Sequence, residues 1–362
     1  MGTDAESLAA FIEKTGHAAS LRVEESYGDG FVRLRVDEAE RRQAKHDIRS
    51  VEDAAIELLR NARDAGAHTI LFALQKTEGT RTLTVVDDGG GIPHDMQERI
   101  FDARVTSKLD TMHMDAWGVH GRGMALFSIR QNAEASHVVA SDPGKGTSIQ
   151  VSFDTAKIPE KADQSSWPEC ERDEDGAIKI ARGPHNLLRC SCELALEDKG
   201  ACEVYIGSPA ETIAAARRHV RIPRDVRERI LQMKICDMPL LLQLRLAPDA
   251  EELADIASAL GLEISGRTAQ RILSGEIAPA QGAYAYLRGK KVSARRSPRK
   301  VDLEKDARSI KISKEDLDKF RGMLARDFQY LEDRYYIELA APPEVRVSSG
   351  RLSCTFEFAE DD

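Results

Sequence analysis

The stretch AIELLRNARDAGA, residues 55–67, carries two kinds of residue in helical register. Glu57, Asn61 and Asp64 follow one another at spacings of four and three residues, so all three project from one face of a helix. The same helix has an apolar side for a core, formed by Ile56, Leu58, Leu59 and Ala62. The line of a carboxylate, an amide and a second carboxylate indicates a polar face with a chemical role.

Composition places the chain among soluble globular proteins. Its 362 residues are 41% hydrophobic and 31% charged, which is enough for two or three domains with their own cores. No apolar run approaches the roughly 20 residues of a membrane span, and no secretory signal opens the sequence. We therefore expect a cytoplasmic protein with no membrane partner, and the six scattered cysteines fit a reducing compartment.

The cysteines raise the question of a metal site. Cys170, Cys190, Cys192 and Cys202 lie near His185, but the sequence CSC lacks the spacer of two to four residues that is common in structural zinc sites. The pattern favours free thiols over zinc without deciding between them.

Charge is distributed unevenly. The net charge of −9 argues against a protein that coats nucleic acid indiscriminately. Residues 286–300, however, hold seven Lys and Arg and no acidic residue. We interpret this segment as a flexible basic connector, which is either a solvated linker or an arm that binds a polyanion through Lys290, Lys291, Arg295 and Arg296.

Sequence patterns divide the chain into four regions. Residues 1–45 form an N-terminal arm, and residues 46–155 a first domain in which residues 68–74 and 81–88 pair as a hairpin and residues 136–141 and 147–153 supply two further strands. Residues 156–180 are polar and are predicted to be a linker. Residues 181–362 alternate strands and helices.

Two glycine-rich stretches in the first domain are suited to a nucleotide. DDGGGI, residues 87–92, places Asp87 at a strand end, where its carboxylate would accept a hydrogen bond from the exocyclic amine of adenine. The glycines after it let the backbone approach a flat ring. GVHGRG, residues 118–123, precedes a helix whose free N–H groups would favour phosphate, with Gly118, Gly121 and Gly123 as hinges.

The polar helix face would act on the phosphate end of that nucleotide. The amide oxygen of Asn61 is a hard neutral ligand suited to Mg²⁺, and Glu57 could accept a proton from the water that attacks the γ-phosphate. The sequence has neither a Walker A run nor a dinucleotide fingerprint after a strand, so the usual phosphate-binding alternatives are missing.

These motifs, in this order, resemble the GHKL ATPases, the family of gyrase B, Hsp-ninety chaperones, histidine kinases, MutL and the topoisomerase VI B subunit. The resemblance covers roughly residues 45–155 and implies the α+β Bergerat sandwich with a mixed, mainly antiparallel sheet, followed by a transducer-like α/β region. It implies ATP and Mg²⁺ as cofactors and a homodimer that forms on ATP binding. Glu57 matches the general base, Asn61 the Mg²⁺ ligand and Asp87 the adenine-binding aspartate. The remaining predicted site residues are Asp64, Ala65, Gly89, Gly91, Ile92, Lys108, Gly118, Gly121, Arg122, Gly123, Met124 and Thr147.

The branch of the family is less clear from the motifs. RNARDAGAHTI and VTSK look like MutL and topoisomerase VI B, whereas GIPHDMQERIFDARVTSK looks like a histidine-kinase catalytic domain. His46 lies too close to Asn61 to occupy a separate phosphoacceptor helix pair, and Glu57 beside Asn61 suits hydrolysis better than phosphotransfer. Lys108 is either a phosphate contact or a solvated lysine of the lid.

Residues 249–275 resemble a helix-turn-helix, in which a second helix would carry Arg267, Thr268, Gln270 and Arg271 into the major groove. Helix pairs of this kind are also common packing elements, so both interpretations stay open.

The leading hypothesis is a Mg²⁺-dependent ATPase whose nucleotide state switches dimerisation, with DNA or a DNA-processing partner as its client. The first alternative is a regulatory or chaperone-like ATPase that acts on a protein client without DNA. A histidine-kinase-like phosphotransferase is the third.

Overall fold

The computed structural model describes residues 23–28, 30–34, 38–106, 114–115, 118–119, 123–172, 177–222, 233–289, 314–335, 337–348 and 351–359. It divides into two compact units, residues 1–294 and residues 295–362. Residues 7–16, SLAAFIEKTG, whose sequence predicts a short helix in the N-terminal arm, lie outside the described residues.

The first 154 residues contain the elements that surround the predicted site. The strands are β1 (Val23–Gly28), β2 (Phe31–Leu34), β3 (Thr69–Thr77), β4 (Thr80–Asp87), β5 (Val105–Thr106), β6 (Met114–Asp115), β7 (Gly118–Val119), β8 (Ala135–Asp142) and β9 (Gly146–Asp154). The helices are α1 (Glu38–Asp47), α2 (Val51–Asp64) and α3 (Ala125–Asn132). Short 3₁₀ turns occupy His94–Met96 and Arg99–Phe101. Both predicted strand pairs are confirmed, since β3 pairs with β4 and β8 with β9, each antiparallel.

Residues 155–289 add further strands and helices to the same compact unit. The strands are β10 (Glu169–Arg172), β11 (Ile178–Arg182), β12 (Glu203–Gly207) and β13 (Gln281–Gly282). The helices are α4 (Leu187–Glu197), α5 (Pro209–His219), α6 (Leu240–Leu246), α7 (Ala250–Ala259), α8 (Gly266–Leu273) and α9 (Ala283–Gly289), with a 3₁₀ turn at Ile235–Asp237.

The central sheet has six strands in the order β13-β12-β3-β4-β9-β8. β12 is parallel to β3, and the other neighbours are antiparallel. This mixed, mainly antiparallel sheet with helices packed on it confirms the predicted α+β class. It also shows that residues 203–207, which lie far along the chain from the first domain, extend the sheet of that domain.

Both faces of the sheet are covered, because successive side chains of a strand point to opposite faces. In β3, Ile70 and Phe72 join a core with α2, α4 and α9, whereas Leu71 and Ala73 join a second core with α5, α6, α7 and α8. All four side chains are at most 2% exposed. The first face holds the predicted site, and the second face is closed to solvent by the later helices.

Helix α2 is fixed at its N-terminus by a capping box. Ser50 accepts from the N–H of Asp53, whose carboxylate accepts from the N–H of Ser50. Val51, Ala54, Ala55, Leu58, Leu59 and Ala62 face the core. Ile56, expected in that core, is instead half-buried.

Residues 156–180, predicted to be a linker, are held against the sheet. The Glu160 carboxylate pairs with Lys76 and Arg81, both at 2.6 Å. Although burial raises the pKa of Glu160, these two contacts hold it below its usual range. The backbone N–H of Lys161 donates to buried Glu52 at 2.9 Å. The segment then enters strand β10, and the division between compact units falls after residue 294 and not in this polar stretch.

The first four residues of the predicted basic connector are helical. Residues 286–289 are the end of helix α9. This end is packed against the rest of the unit: Leu287 is fully buried, and the Tyr286 hydroxyl donates to the Pro168 carbonyl at 3.0 Å. The Tyr286 ring also lies 4.4 Å from the Trp167 ring, centroid to centroid. Residues 290–300, with Lys290, Lys291, Arg295 and Arg296, lie outside the described residues.

The helix-turn-helix-like segment packs on the second face of the sheet. Leu253 and Ala257 of α7 and Ala269 and Ile272 of α8 are buried in the second core. The pair therefore has the packing role that the sequence left open beside DNA binding.

The second unit contains α10 (Lys314–Tyr335) and an antiparallel hairpin of β14 (Glu344–Ser348) and β15 (Arg351–Thr355). Phe328 of α10 stacks on Phe356 and Phe358, with ring centroids 5.0 and 5.8 Å apart. None of the helices in the described part of the chain combines the length and apolarity needed to cross a membrane.

Candidate functional site

A cavity of about 890 Å³ lies on the first face of the central sheet. This volume is within the range of small-molecule sites. Ten of the predicted site residues line it: Glu57, Asn61, Asp64, Ala65, Asp87, Gly91, Ile92, Gly123, Met124 and Thr147. Helix α2 thus turns its polar face to the same space as the glycine-rich segments, although the roles of these residues stay predictions.

Glu57 is paired with an arginine from its own helix. The Arg60 guanidinium donates to Glu57 Oε1 at 2.8 Å, and the two side chains are 2% and 22% exposed. A buried guanidinium needs an anionic partner, because its charge has lost the solvation of water. The ion pair therefore holds the Glu57 carboxylate in one orientation at the cavity wall.

Asn61 lies one helical turn beyond Glu57 on the same wall. Its Nδ2 atom is buried and has no hydrogen-bond partner among the described residues. The side chain amide is therefore not committed to the fold, which fits a group that is reserved for a ligand. Asp64, the third member of the line, accepts from Nε and Nη2 of Arg63 at 3.1 and 3.0 Å.

The loop after β4 is built around close backbone contacts. Asp87 is 4% exposed, and its Oδ1 accepts from the N–H of Gly89 at 2.8 Å. The N–H of Gly90 donates to the Ala65 carbonyl at 2.9 Å, which ties the loop to the end of α2. Gly89 is the predicted residue of this loop that does not line the cavity.

Gly91 in this loop cannot be replaced by a residue with a side chain without a shift of the backbone. Its φ is +76°, and a Cβ atom there would overlap the carbonyl oxygen of Asp142, the last residue of β8 before the turn to β9. The loop of residues 87–92 and the β8–β9 turn are thus packed backbone to backbone.

Thr147 lies beside Asp87, because the two residues are paired across β4 and β9. Thr147 is also 4% exposed, and its Oγ1 is 3.0 Å from Ser141 Oγ. A carboxylate and a hydroxyl group therefore lie side by side at one part of the cavity, which we call its inner end.

The opposite end of the cavity is bounded by the start of α3. Gly123, Met124 and Ala125 line it, so the first turn of this helix faces the cavity as predicted for a phosphate cradle. Gly118 lies in β7, where it pairs with Asp115. Lys108, Gly121 and Arg122 fall outside the described residues.

The sequence left a metal site at the cysteines open, and the described part of the chain bears on that question. Among the described residues, no group of three or more His, Cys, Asp and Glu side chains is placed to hold a metal ion. Cys190, Cys192 and Cys202 are buried and form no disulfide with another described cysteine. Burial raises the pKa of Cys190 and Cys202, which keeps both thiols protonated at neutral pH.

The predicted DNA-contacting side chains that the structure describes lie on α8. Arg267, Gln270 and Arg271 are exposed, and Thr268 is half-buried. Arg271 pairs with Glu276 at 3.2 Å.

Two residues of the site were not predicted from the sequence. Arg60 was not considered in the sequence analysis, although its position three residues after Glu57 could have suggested an ion pair. Ser141 was missed because its partners come from two segments: Gly146 and Thr147 begin β9, whereas Ile92 lies in the loop after β4.

Comparison with known proteins places the site in a family. Residues 46–157 match the family described as "Histidine kinase-, DNA gyrase B-, and HSP90-like ATPase". DNA mismatch repair protein MutL of Staphylococcus aureus (strain Newman) is 36% identical over 99 residues, which cover 26% of this chain and 14% of that protein. MutL of strain JH1 gives the same values.

Solved structures of histidine kinases also align with part of the chain. The mycobacterial sensor histidine kinase MprB aligns with a TM-score of 0.20 and 16% identity, over 41% of this chain and 92% of that one. The catalytic domain of the histidine kinase ThkA aligns with a TM-score of 0.20 and 14% identity, over 42% and 90%. From the match over residues 46–157 and the motifs within it, this part of the chain is a domain of the GHKL ATPase superfamily.

Proposed function

We propose that the chain is a Mg²⁺-dependent ATPase that binds one ATP in the cavity beside α2. The observation that carries the proposal is the convergence of Glu57, Asn61, Asp87 and Thr147 on one cavity, although they come from a helix and two strands. Adenine would lie against Asp87 and Thr147, and the phosphates would extend toward α3.

The residues present fit the implied metal. Asn61 offers the oxygen of a neutral amide at the cavity wall, and Mg²⁺ would take its remaining oxygen ligands from phosphates and water. When bound, Mg²⁺ would neutralise phosphate charge. Glu57, held by Arg60, would accept the proton of the attacking water.

The test is phosphate release from ATP by the purified full chain. We expect turnover with Mg²⁺ and none when a chelator removes it. Turnover that is unchanged by the chelator, or no turnover under any condition, would contradict the proposal.

The nucleotide state would control dimerisation, because the family resemblance implies that the lid and the N-terminal arm close on ATP. The dimer would then present the chain to a client. For that client we propose DNA or a DNA-processing partner, supported by the exposed Arg267, Gln270 and Arg271 on one helix and by the similarity to a mismatch repair protein. Exposed Glu251 and Asp255 make the neighbouring helix α7 the less suitable contact for a polyanion.

Salt-dependent DNA binding tests the proposed client. In Arg267→Ala/Arg271→Ala, we expect weaker binding to duplex DNA and a fall of about 2 in the slope of log affinity against log salt, since each phosphate that is no longer neutralised lowers the slope by roughly one. Lys179→Ala/Arg182→Ala, which removes two charges from exposed positions of β11, is the matched control. Equal binding by the two double variants would exclude α8 as the contact. No binding at low salt, with the ATPase intact, would favour a protein client.

A further inference from the structure

One wall of the cavity follows the length of helix α2. The residues that form this wall are spaced four apart, which places them along one side of the helix, and they are Arg49, Asp53, Glu57, Asn61 and Ala65. Ala65 is tied to the loop after Asp87 by the N–H of Gly90, at 2.9 Å, and so lies toward the inner end. Arg49, two residues before the helix begins, therefore marks the opposite end of the cavity.

Arg49 lies at the end toward which the phosphates would extend. Ser128 of α3 donates to Oδ2 of Asp47, the last residue of α1, at 3.4 Å, and both residues line the cavity. Arg49 follows two residues later, and its backbone N–H donates to Oδ2 of Asp53 at 2.9 Å. Asp53 is one helical turn before Glu57, and an extended arginine side chain can span one turn, about 5.4 Å. Arg49 is thus placed between α3 and the proposed general base.

The described lining of the cavity has more acidic than basic side chains. Its acidic residues are Asp47, Asp53, Glu57, Asp64 and Asp87, and its basic residues are Arg49 and Arg60. The Arg60 guanidinium is committed to Glu57 by their ion pair at 2.8 Å. Arg49 is exposed and forms no ion pair with any residue in the described ranges. Of the two arginines in this lining, Arg49 is therefore the one available to an anionic ligand.

We propose that Arg49 binds the terminal phosphate of ATP. A guanidinium presents its donors in a planar fork that matches two oxygens of one phosphate. ADP has no γ-phosphate, so this contact makes the site distinguish ATP from ADP. The inference rests on the proposed ATPase function and deepens it, because it assigns recognition of the γ-phosphate to a residue outside the motifs that indicate the nucleotide site.

The test compares the affinities of the full chain for a non-hydrolysable ATP analogue and for ADP, both with Mg²⁺. In Arg49→Ala, we expect affinity for the analogue to fall by about tenfold, the lower end for a hydrogen bond between charged groups, because Arg49 is exposed. Affinity for ADP should stay within about twofold, since the variant removes no contact to the α- or β-phosphate. Arg49→Lys, which keeps the charge and loses the fork, should recover part of the affinity for the analogue. Arg41→Ala is the matched control, because Arg41 is an exposed arginine of α1 that does not line the cavity.

The ratio of the two affinities separates recognition of the γ-phosphate from support of the fold. Retained ADP binding in Arg49→Ala shows that the variant is folded, so a selective loss of the analogue supports the contact. An equal loss of affinity for both nucleotides, or no loss for either, would overturn the inference and leave the ATPase proposal standing. A wild-type chain that binds neither nucleotide would overturn both.

Discussion

Replacing Glu57 by glutamine is expected to lower kcat for ATP hydrolysis by about 10²- to 10⁴-fold, the usual contribution of a general base. Affinity for Mg·ATP should stay within about twofold, because an interaction used only in the chemical step contributes little to ground-state binding. The change removes the proton acceptor at the cavity wall and leaves the rest of the site in place. Phosphate release and equilibrium titration with ATP measure the two quantities.

The choice of glutamine over alanine follows from the ion pair with Arg60. The Glu57→Gln side chain keeps an oxygen that can accept from the buried guanidinium, whereas Glu57→Ala removes that acceptor. Removing one partner of a buried ion pair costs about 3–5 kcal/mol in general, and this pair, with Glu57 partly exposed, should cost less. We therefore expect Glu57→Ala to lose hydrolysis and some stability together. Glu134→Ala, at an exposed position after α3, is the control, and normal turnover in Glu57→Gln would rule out the base assignment.

Asn61→Ala is expected to remove the Mg²⁺-dependent part of ATP binding. In the wild type, affinity for ATP should be much higher with Mg²⁺ than with a chelator. In the variant, the ratio of the two affinities should fall by at least about tenfold, since even the residues that support a metal ligand contribute 10- to 100-fold to metal affinity. Titration of each protein with ATP, with and without Mg²⁺, gives the ratio.

The half-buried Asn61 side chain also leads to a stability prediction. Because its Nδ2 has no partner among the described residues, its removal should leave the unfolding temperature nearly unchanged. Asn132→Ala, which removes a side chain that donates to the Ser128 carbonyl at 2.8 Å, is the matched control and should not alter the ratio. A ratio in Asn61→Ala equal to that of the wild type would mean that Asn61 does not hold the metal.

The local part of the site could be predicted from the sequence because helical spacing alone aligns its residues. Glu57, Asn61 and Asp64 follow one another within two turns, so one helix brings them to the same cavity. Asp87 was similarly predictable, because it ends a strand and precedes glycines. In both cases the information lies within a few residues.

The extension of the sheet could not be predicted in this way. The parallel pairing of β12 with β3 joins segments more than 120 residues apart, and only tertiary packing determines it. A signal was nevertheless present in β3. Its run ILFA, residues 70–73, is apolar at every position and does not alternate, which is typical of a strand that is buried on both faces.

The second face explains why the helix-turn-helix pattern was ambiguous. Ser148 Oγ donates to the Leu260 carbonyl at 2.8 Å, and Gln150 Nε2 donates to the Gly261 carbonyl at 3.0 Å. These strand side chains fix the turn between α7 and α8 to the sheet. Ser148 is adjacent to Thr147 in β9, so the helix pair is attached to the face of the sheet opposite the cavity. The spacing of residues within α7 and α8 does not indicate these hydrogen bonds to the sheet.

Hydrogen exchange of backbone amides, with and without a saturating non-hydrolysable ATP analogue and Mg²⁺, tests most directly whether this cavity is the nucleotide site. We predict slower exchange on binding in two segments. The first is residues 89–92, the loop that packs against the β8–β9 turn, and the second is residues 123–128, at the start of α3. Amides of β14 and β15, in the other compact unit, serve as the internal reference. Bound nucleotide that leaves exchange at residues 89–92 and 123–128 unchanged would contradict the assignment of this cavity as the ATP site.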